Sequence, residues 1–140
     1  MILLDTDHLS VLLDERDARQ PPLRVRLRAA GDLLAIPIVS IEEQLRGWLA
    51  KIHRVNDAHR QIVPYLRLKR VFTFLREWAI LEWNEPAADE FSRLRSLRIR
   101  IGTQDLKIAC TALANDALLL SANLRDFEQV PGLRVEDWLR

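Results

Sequence analysis

The sequence predicts an α/β fold: a central, mostly parallel sheet of four to five short strands, flanked by helices on both faces and carrying a helical hairpin. Three observations predict it. Short apolar runs alternate with longer stretches of helical periodicity along the chain, and strands alternating with helices indicate a parallel sheet. Runs such as residues 2–4 and 33–39 are almost continuously apolar, as buried strands are. Apolar residues make up 49% of the 140 residues, enough to build a core and too many for a disordered chain.

Ile2, Leu3 and Leu4 form the first strand, and a short helix follows with Leu9, Val11, Leu12 and Leu13. Charges and the Pro21-Pro22 pair mark residues 14–22 as a loop. Residues 23–30 have helical apolar spacing and stop at Gly31. Residues 33–39 form the second strand, after which Ser40 opens a helix running toward Trp48 and Ile52. Residues 56–78 read as a long helical hairpin interrupted near Pro64, and residues 79–83 as a third strand. Pro86 suits the first turn of a helix over residues 87–97. Residues 103–115 are helical, residues 117–120 form a fourth strand, and residues 133–135 a last short one. No repeat, low-complexity tract or linker interrupts this order, so residues 1–140 are expected to form one domain.

Four acids fall where an element begins or ends. Asp5 closes the first strand, Glu43 lies on the turn after Ser40, Asp105 on the turn after Thr103, and Asp126 beyond the fourth strand, after Ser121 and Asn123. In a parallel sheet the strand C-termini and the helix N-termini that follow share one edge, where ligands bind in open α/β folds. Each acid also has a structural reading. Ser40 and Glu43 fit a capping box, Asp105 complements a helix dipole, and Asp5 or Asp7 can cap the first helix. Gathered at one edge, however, carboxylates repel one another unless a cation neutralises them. Mg²⁺ or Mn²⁺ suits such a set, since these hard ions take a few carboxylates and keep several waters. The chemistry expected is metal-assisted hydrolysis of a phosphodiester.

Other residues narrow the class. His8, His53 and His59 share no zinc-ligand spacing with one another or with Cys110. Cys110 stands alone in an apolar helical stretch, which excludes a disulfide framework and fits a reducing compartment. No signal peptide and no apolar run of spanning length is seen, so the cytoplasm is the expected location. Basic residues are concentrated in two tracts, Arg46 to Arg76 and Arg93 to Arg100. They read individually as solvated helix faces and together as a rim suited to a polyanion, single-stranded or looped RNA above all. Trp48, Trp78, Trp83 and Trp138 read as core or dimer surface rather than as base-stacking platforms.

The segments MILLDTDHLS, IPIVSIEEQLRG and RIRIGTQDLKIACTALANDALLLSANLRDFEQVPGLRVEDW resemble the PIN-domain ribonucleases, in particular the VapC-type toxins of bacterial toxin–antitoxin pairs. The likeness covers nearly the whole chain and is weakest between Lys51 and Trp78. It implies a PIN-like fold and a Mg²⁺- or Mn²⁺-dependent ribonuclease. It matches Asp5, Glu43 and Asp105 to the family's metal-site acids. Glu43 is matched rather than Glu42, because Ser40, Glu43 and Gly47 keep the family spacing. Thr6 and Ser121 match hydroxyls that support the acids. Where many relatives have a fourth Asp, this chain has Asn123, which can ligate through its carbonyl or hold a metal-bound water. Asp126 either completes the shell or caps a local turn. The resemblance also implies a second copy of the chain and a cognate antitoxin as partners. Two alternatives stand beside this reading. One is a non-catalytic member of the fold that binds RNA or protein. The other is a haloacid-dehalogenase-like phosphatase built on Asp5 and Asp7.

Overall fold

The computed structural model describes residues 1–140. Its sheet has five strands, β1 (Ile2–Leu4), β2 (Leu34–Pro37), β3 (Ala79–Leu81), β4 (Leu118–Leu120) and β5 (Arg134–Glu136), in the order β3-β2-β1-β4-β5. Every neighbouring pair is parallel. Seven helices accompany it: α1 (Thr6–Leu13), α2 (Gln20–Ala30), α3 (Ile38–Arg54), α4 (Ile62–Leu75), α5 (Glu85–Ser96), α6 (Thr103–Ala114) and the single turn α7 (Leu124–Phe127).

Alternate residues of the central strands feed two cores. Ile2 and Leu4 pack with Leu9, Leu12, Leu23, Leu27, Ile41, Val71 and Leu75 of helices α1 to α4. Leu3 points the other way, into Leu94, Leu106, Ile108 and Phe127 of helices α5 to α7. With helices on both faces, neither side of β1 meets water, which explains its uninterrupted apolar sequence. The chain winds outward from β1 to β2 and β3, and then returns to place β4 on β1's other side. The order therefore reverses between β1 and β4, the position where open α/β sheets hold ligands.

Four details depart from the sequence reading, each for a local reason. The segment expected as a loop over residues 14–22 gives its last residues to α2, with Pro at the first turn and Gly31 at φ +62° ending the helix. A proline there lacks only an N–H that would have no helical partner. The second strand stops at Pro37, which caps α3, so the helix begins at Ile38 rather than Ser40. Ser40 is then inside the helix, fully buried, and its Oγ donates to the Leu4 carbonyl at 3.1 Å instead of forming a capping box. The helical hairpin is made by α3 and α4, not within residues 56–78. Gln61 Nε2 donates to the carbonyls of Ile52 and Val55 at the turn, and Pro64 falls in the first turn of α4 without breaking it.

Candidate functional site

Strand exits and helix starts converge at the C-terminal edge beside the β1–β4 junction. Asp5 leaves β1 and caps α1: Oδ1 accepts from the Thr6 N–H at 2.7 Å, and Oδ2 accepts from Ser121 Oγ, also at 2.7 Å. It is only 5% exposed, so cap and site are one residue rather than competing readings. Glu43 comes from the second turn of α3, and its Oε2 accepts from Thr6 Oγ1. Asp105 stands at the third position of α6. Carboxylate oxygens of Asp5, Glu43 and Asp105 all lie within 4.8 Å of one another.

The two hydroxyls singled out in the sequence meet these acids, Thr6 donating to Glu43 and Ser121 to Asp5. Asn123 lies beside them, but it turns its amide Nδ2 inward, donating to Asp105 Oδ2 at 3.2 Å and Asp126 Oδ2 at 3.1 Å. It thus stands between two carboxylates of the site. Asp126 is joined to the site by that bridge and by its charge, which acts on Asp105. Glu42 points elsewhere, taking Gln104 Nε2 at 2.6 Å and Arg46 at 3.1 Å.

One pair escaped the sequence reading. Asp7 Oδ2 accepts from the Ala122 N–H at 2.8 Å and from Ser121 Oγ at 3.3 Å. Its Oδ1 meets both the backbone N–H and Nδ1 of His8 at 2.6 Å. His8 is fully buried, and its Nε2 accepts the Trp138 N–H at 3.1 Å. This chain of bonds ties the first turn of α1 to the exit of β4 and to the C-terminal segment. The available signal was a histidine on the apolar face of α1, which requires partners once buried. The Asp7 carboxylate is thus held by groups on both α1 and the exit of β4.

Burial pushes the Asp5 carboxyl up from 3.8 to about 7, helped by the charges of Asp7 and Asp105 and opposed by the Ser121 and Thr6 hydrogen bonds. Asp105 is also raised, by burial first and then by Glu43 and Asp126. Asp7 behaves differently: burial raises it, but the hydrogen bonds from His8 and Ala122 outweigh that and hold it low. Three acids oriented by their own hydroxyls and N–H groups, two of them resisting ionisation, are an oxygen donor set suited to a hard divalent cation. Cys110 lies apart in the opposite core, its thiol pushed up to about 12 by burial.

Comparison with known proteins agrees with this architecture. The family model described as PIN domain matches residues 2–133, and the chain belongs to that family. Among curated relatives, Ribonuclease VapC1 of Rickettsia felis is 34% identical over 110 residues, 75% of either chain. The tRNA(fMet)-specific endonuclease VapC of Salmonella typhimurium is 32% identical over 88 residues, 60% of this chain and 67% of that one. Ribonuclease VapC2 of Haemophilus influenzae is matched over 65% of its length, so the chain spans about two thirds of these latter two relatives. The crystal structure of DNA-bound VapBC from Salmonella typhimurium has a TM-score of 0.78 at 23% identity, covering 98% of this chain and 97% of the other. The VapBC2 structure from Rickettsia felis gives 0.77 at 22%, covering 99% of each. At these identities the likeness is one of fold.

Proposed function

We propose that this protein is a Mg²⁺- or Mn²⁺-dependent endoribonuclease of the VapC type, a toxin kept inactive by a cognate antitoxin. The observation that carries the proposal is the cluster of Asp5, Glu43 and Asp105 with ligand atoms within 4.8 Å. Those three carboxylates would hold the cation. Bound there, it supplies Lewis acidity toward the scissile phosphodiester and eases loss of a proton from the attacking water.

The chain's own residues prepare the site. Thr6 and Ser121 fix the rotamers of Glu43 and Asp5 through hydroxyl hydrogen bonds. The Asn123 amide keeps Asp105 and Asp126 together despite their like charge. Asp126, tied to Asp105 through Asn123, would be the acid outside the cluster that takes a proton from incoming water. Asp7 and His8 hold the exit of β4, and so Ser121, in place.

The proposed protein partners follow from the relatives. The VapBC assemblies among the structural neighbours support an antitoxin, and the proposed setting is the cytoplasm. No helix is long and apolar enough to cross a membrane. A homodimer is supported by an exposed apolar groove on α3 lined by Ile38, Ile41, Leu45 and Leu49.

Purified protein incubated with RNA tests the activity. Cleavage should require Mg²⁺ or Mn²⁺, stop with EDTA, and be lost in Asp5→Asn and Asp105→Asn. Cleavage that survives either substitution would refute the assignment. RNA binding without any cleavage would place the chain among non-catalytic members of the fold.

A further inference from the structure

Gly47 lies mid-way along α3 and is not among the glycines with positive φ. A Cβ added there meets nothing within 4 Å. Glycine in a helix interior costs about 1 kcal/mol relative to alanine, and neither backbone conformation nor internal packing requires it here. Its effect is to leave space, because it lines a groove of about 580 Å³ between α1, α3 and α4.

The groove neighbours the acid cluster along α1 and α3. On α1, Ser10 lies one turn beyond Thr6 and donates to the Thr6 carbonyl at 2.8 Å and to Gln44 Oε1 at 3.1 Å. On α3, Gly47 lies one turn beyond Glu43 and Lys51 one turn further, each turn advancing about 5.4 Å. Thr6 and Glu43 bond to each other, and the helices that carry them go on to line the groove with Ser10, Gln44 and Gly47.

The charge of the groove is opposite to that of the cluster. Arg16, Lys51, Arg67 and Arg70 line it, with Asp14 as the only acid among the lining residues. Lys51 Nζ stands 4.3 Å above the Trp48 ring, which holds the ammonium at the groove. Arg67 lies 4.0 Å from Asp14 and Arg70 2.6 Å from Glu15. Arg16 also lies 3.6 Å from Asp14, and pairs of this kind near the surface contribute about 0–1 kcal/mol.

We propose that this groove holds the single-stranded RNA segment adjoining the scissile phosphate. Lys51 and Arg67 take its phosphates, and Gly47 leaves room for the backbone to pass. The inference rests on the ribonuclease reading of the acid cluster and adds where the strand lies. A polyanion is favoured because four cations and one acid line the groove.

Binding of a short, mixed-sequence, fluorescein-labelled single-stranded RNA to the full chain in EDTA, followed by anisotropy across a salt series, tests it. Lys51→Ala and Arg67→Ala should each weaken binding about tenfold and reduce the log–log salt slope by about 0.7. Gly47→Leu should weaken binding by at least about tenfold without lowering Tm, since leucine is the better helix former. Mn²⁺ titration of the acid cluster should be unchanged in all three. Arg134→Ala, whose guanidinium bonds to the Asp116 carbonyl at the opposite edge of the sheet, should bind as wild type does. If wild type binds and cleaves RNA while Gly47→Leu and Lys51→Ala keep its affinity and slope, the strand runs elsewhere and this inference alone fails. It also fails if those variants lose a protein partner but bind RNA normally. Wild type that neither binds nor cleaves RNA removes the ribonuclease reading, and this inference with it.

Discussion

Replacing Asp5 by Asn should make the metal-free protein more stable while abolishing its response to metal. Asp5 is buried, and its carboxyl is raised from 3.8 to about 7. At 1.36 kcal/mol per pH unit between those values, ionising it in the folded state costs about 4 kcal/mol. Asn keeps the shape and can still accept from the Thr6 N–H while taking the other side of the Ser121 hydroxyl. Allowing for imperfect replacement, the gain is about 2–4 kcal/mol, or roughly 6–16 °C in Tm for a chain of this length. The sign with pH follows from proton uptake. Between about pH 4 and pH 7 the folded wild type binds a proton that the unfolded chain has released, so its stability falls as pH rises. The advantage of the variant is therefore small near pH 4, about half developed at pH 5.5 and complete above pH 7. Divalent cation offsets most of that difference: at about a hundredfold excess over Kd, wild type recovers about 2.7 kcal/mol and the variant little. Thermal melts at several pH values, with EDTA and with Mn²⁺, measure all of this. A metal-free Asp5→Asn protein that is less stable than wild type near pH 8, with equal Mn²⁺ responses in both, would refute the reasoning.

Other substitutions separate neighbouring roles. Glu43→Gln should reduce RNA cleavage at least about a hundredfold, while Glu42→Gln, which breaks only the exposed contacts to Gln104 and Arg46, should change it less than about threefold; equal effects in an initial-rate assay would contradict the assignment of Glu43. Ser121→Ala removes the hydroxyl that lowers Asp5, so the pH at which Mn²⁺ affinity reaches half its maximum should move upward in calorimetric titrations. Affinity in wild type should itself rise with pH up to about 7, as Asp5 deprotonates. His8→Ala deletes a fully buried ring bonded to Asp7 and to the Trp138 N–H, and should lower stability by about 2–4 kcal/mol in urea unfolding.

The acids were legible where their signals are local. Asp5 follows three apolar residues and Asp105 opens a helix, and both positions survive in the structure because strand exits and first turns can be read over a few residues. Glu43 was legible as a site acid, but the reason offered for its position was not the one observed. Ser40 looks like a cap, yet Pro37 starts the helix earlier and the sheet draws the serine hydroxyl to Leu4. Asn123 was placed in the right neighbourhood, while the direction of its amide depends on two carboxylates from different parts of the chain. The link from Asp7 through His8 to Trp138 spans 130 positions from His8 to Trp138, and no window along the sequence contains both ends. The segment between Lys51 and Trp78, where the resemblance was weakest, supplies α4 and with it one wall of the basic groove.

The central claim is that Asp5, Glu43 and Asp105 act together as a divalent-cation site. Its most direct test is Mn²⁺ binding to the metal-free protein, followed by calorimetry or by loss of the free-ion paramagnetic signal, in wild type and in Asp105→Asn. The account predicts saturable binding in wild type, competed by Mg²⁺ and abolished by the substitution. No saturable binding, or equal binding in both proteins, would contradict it.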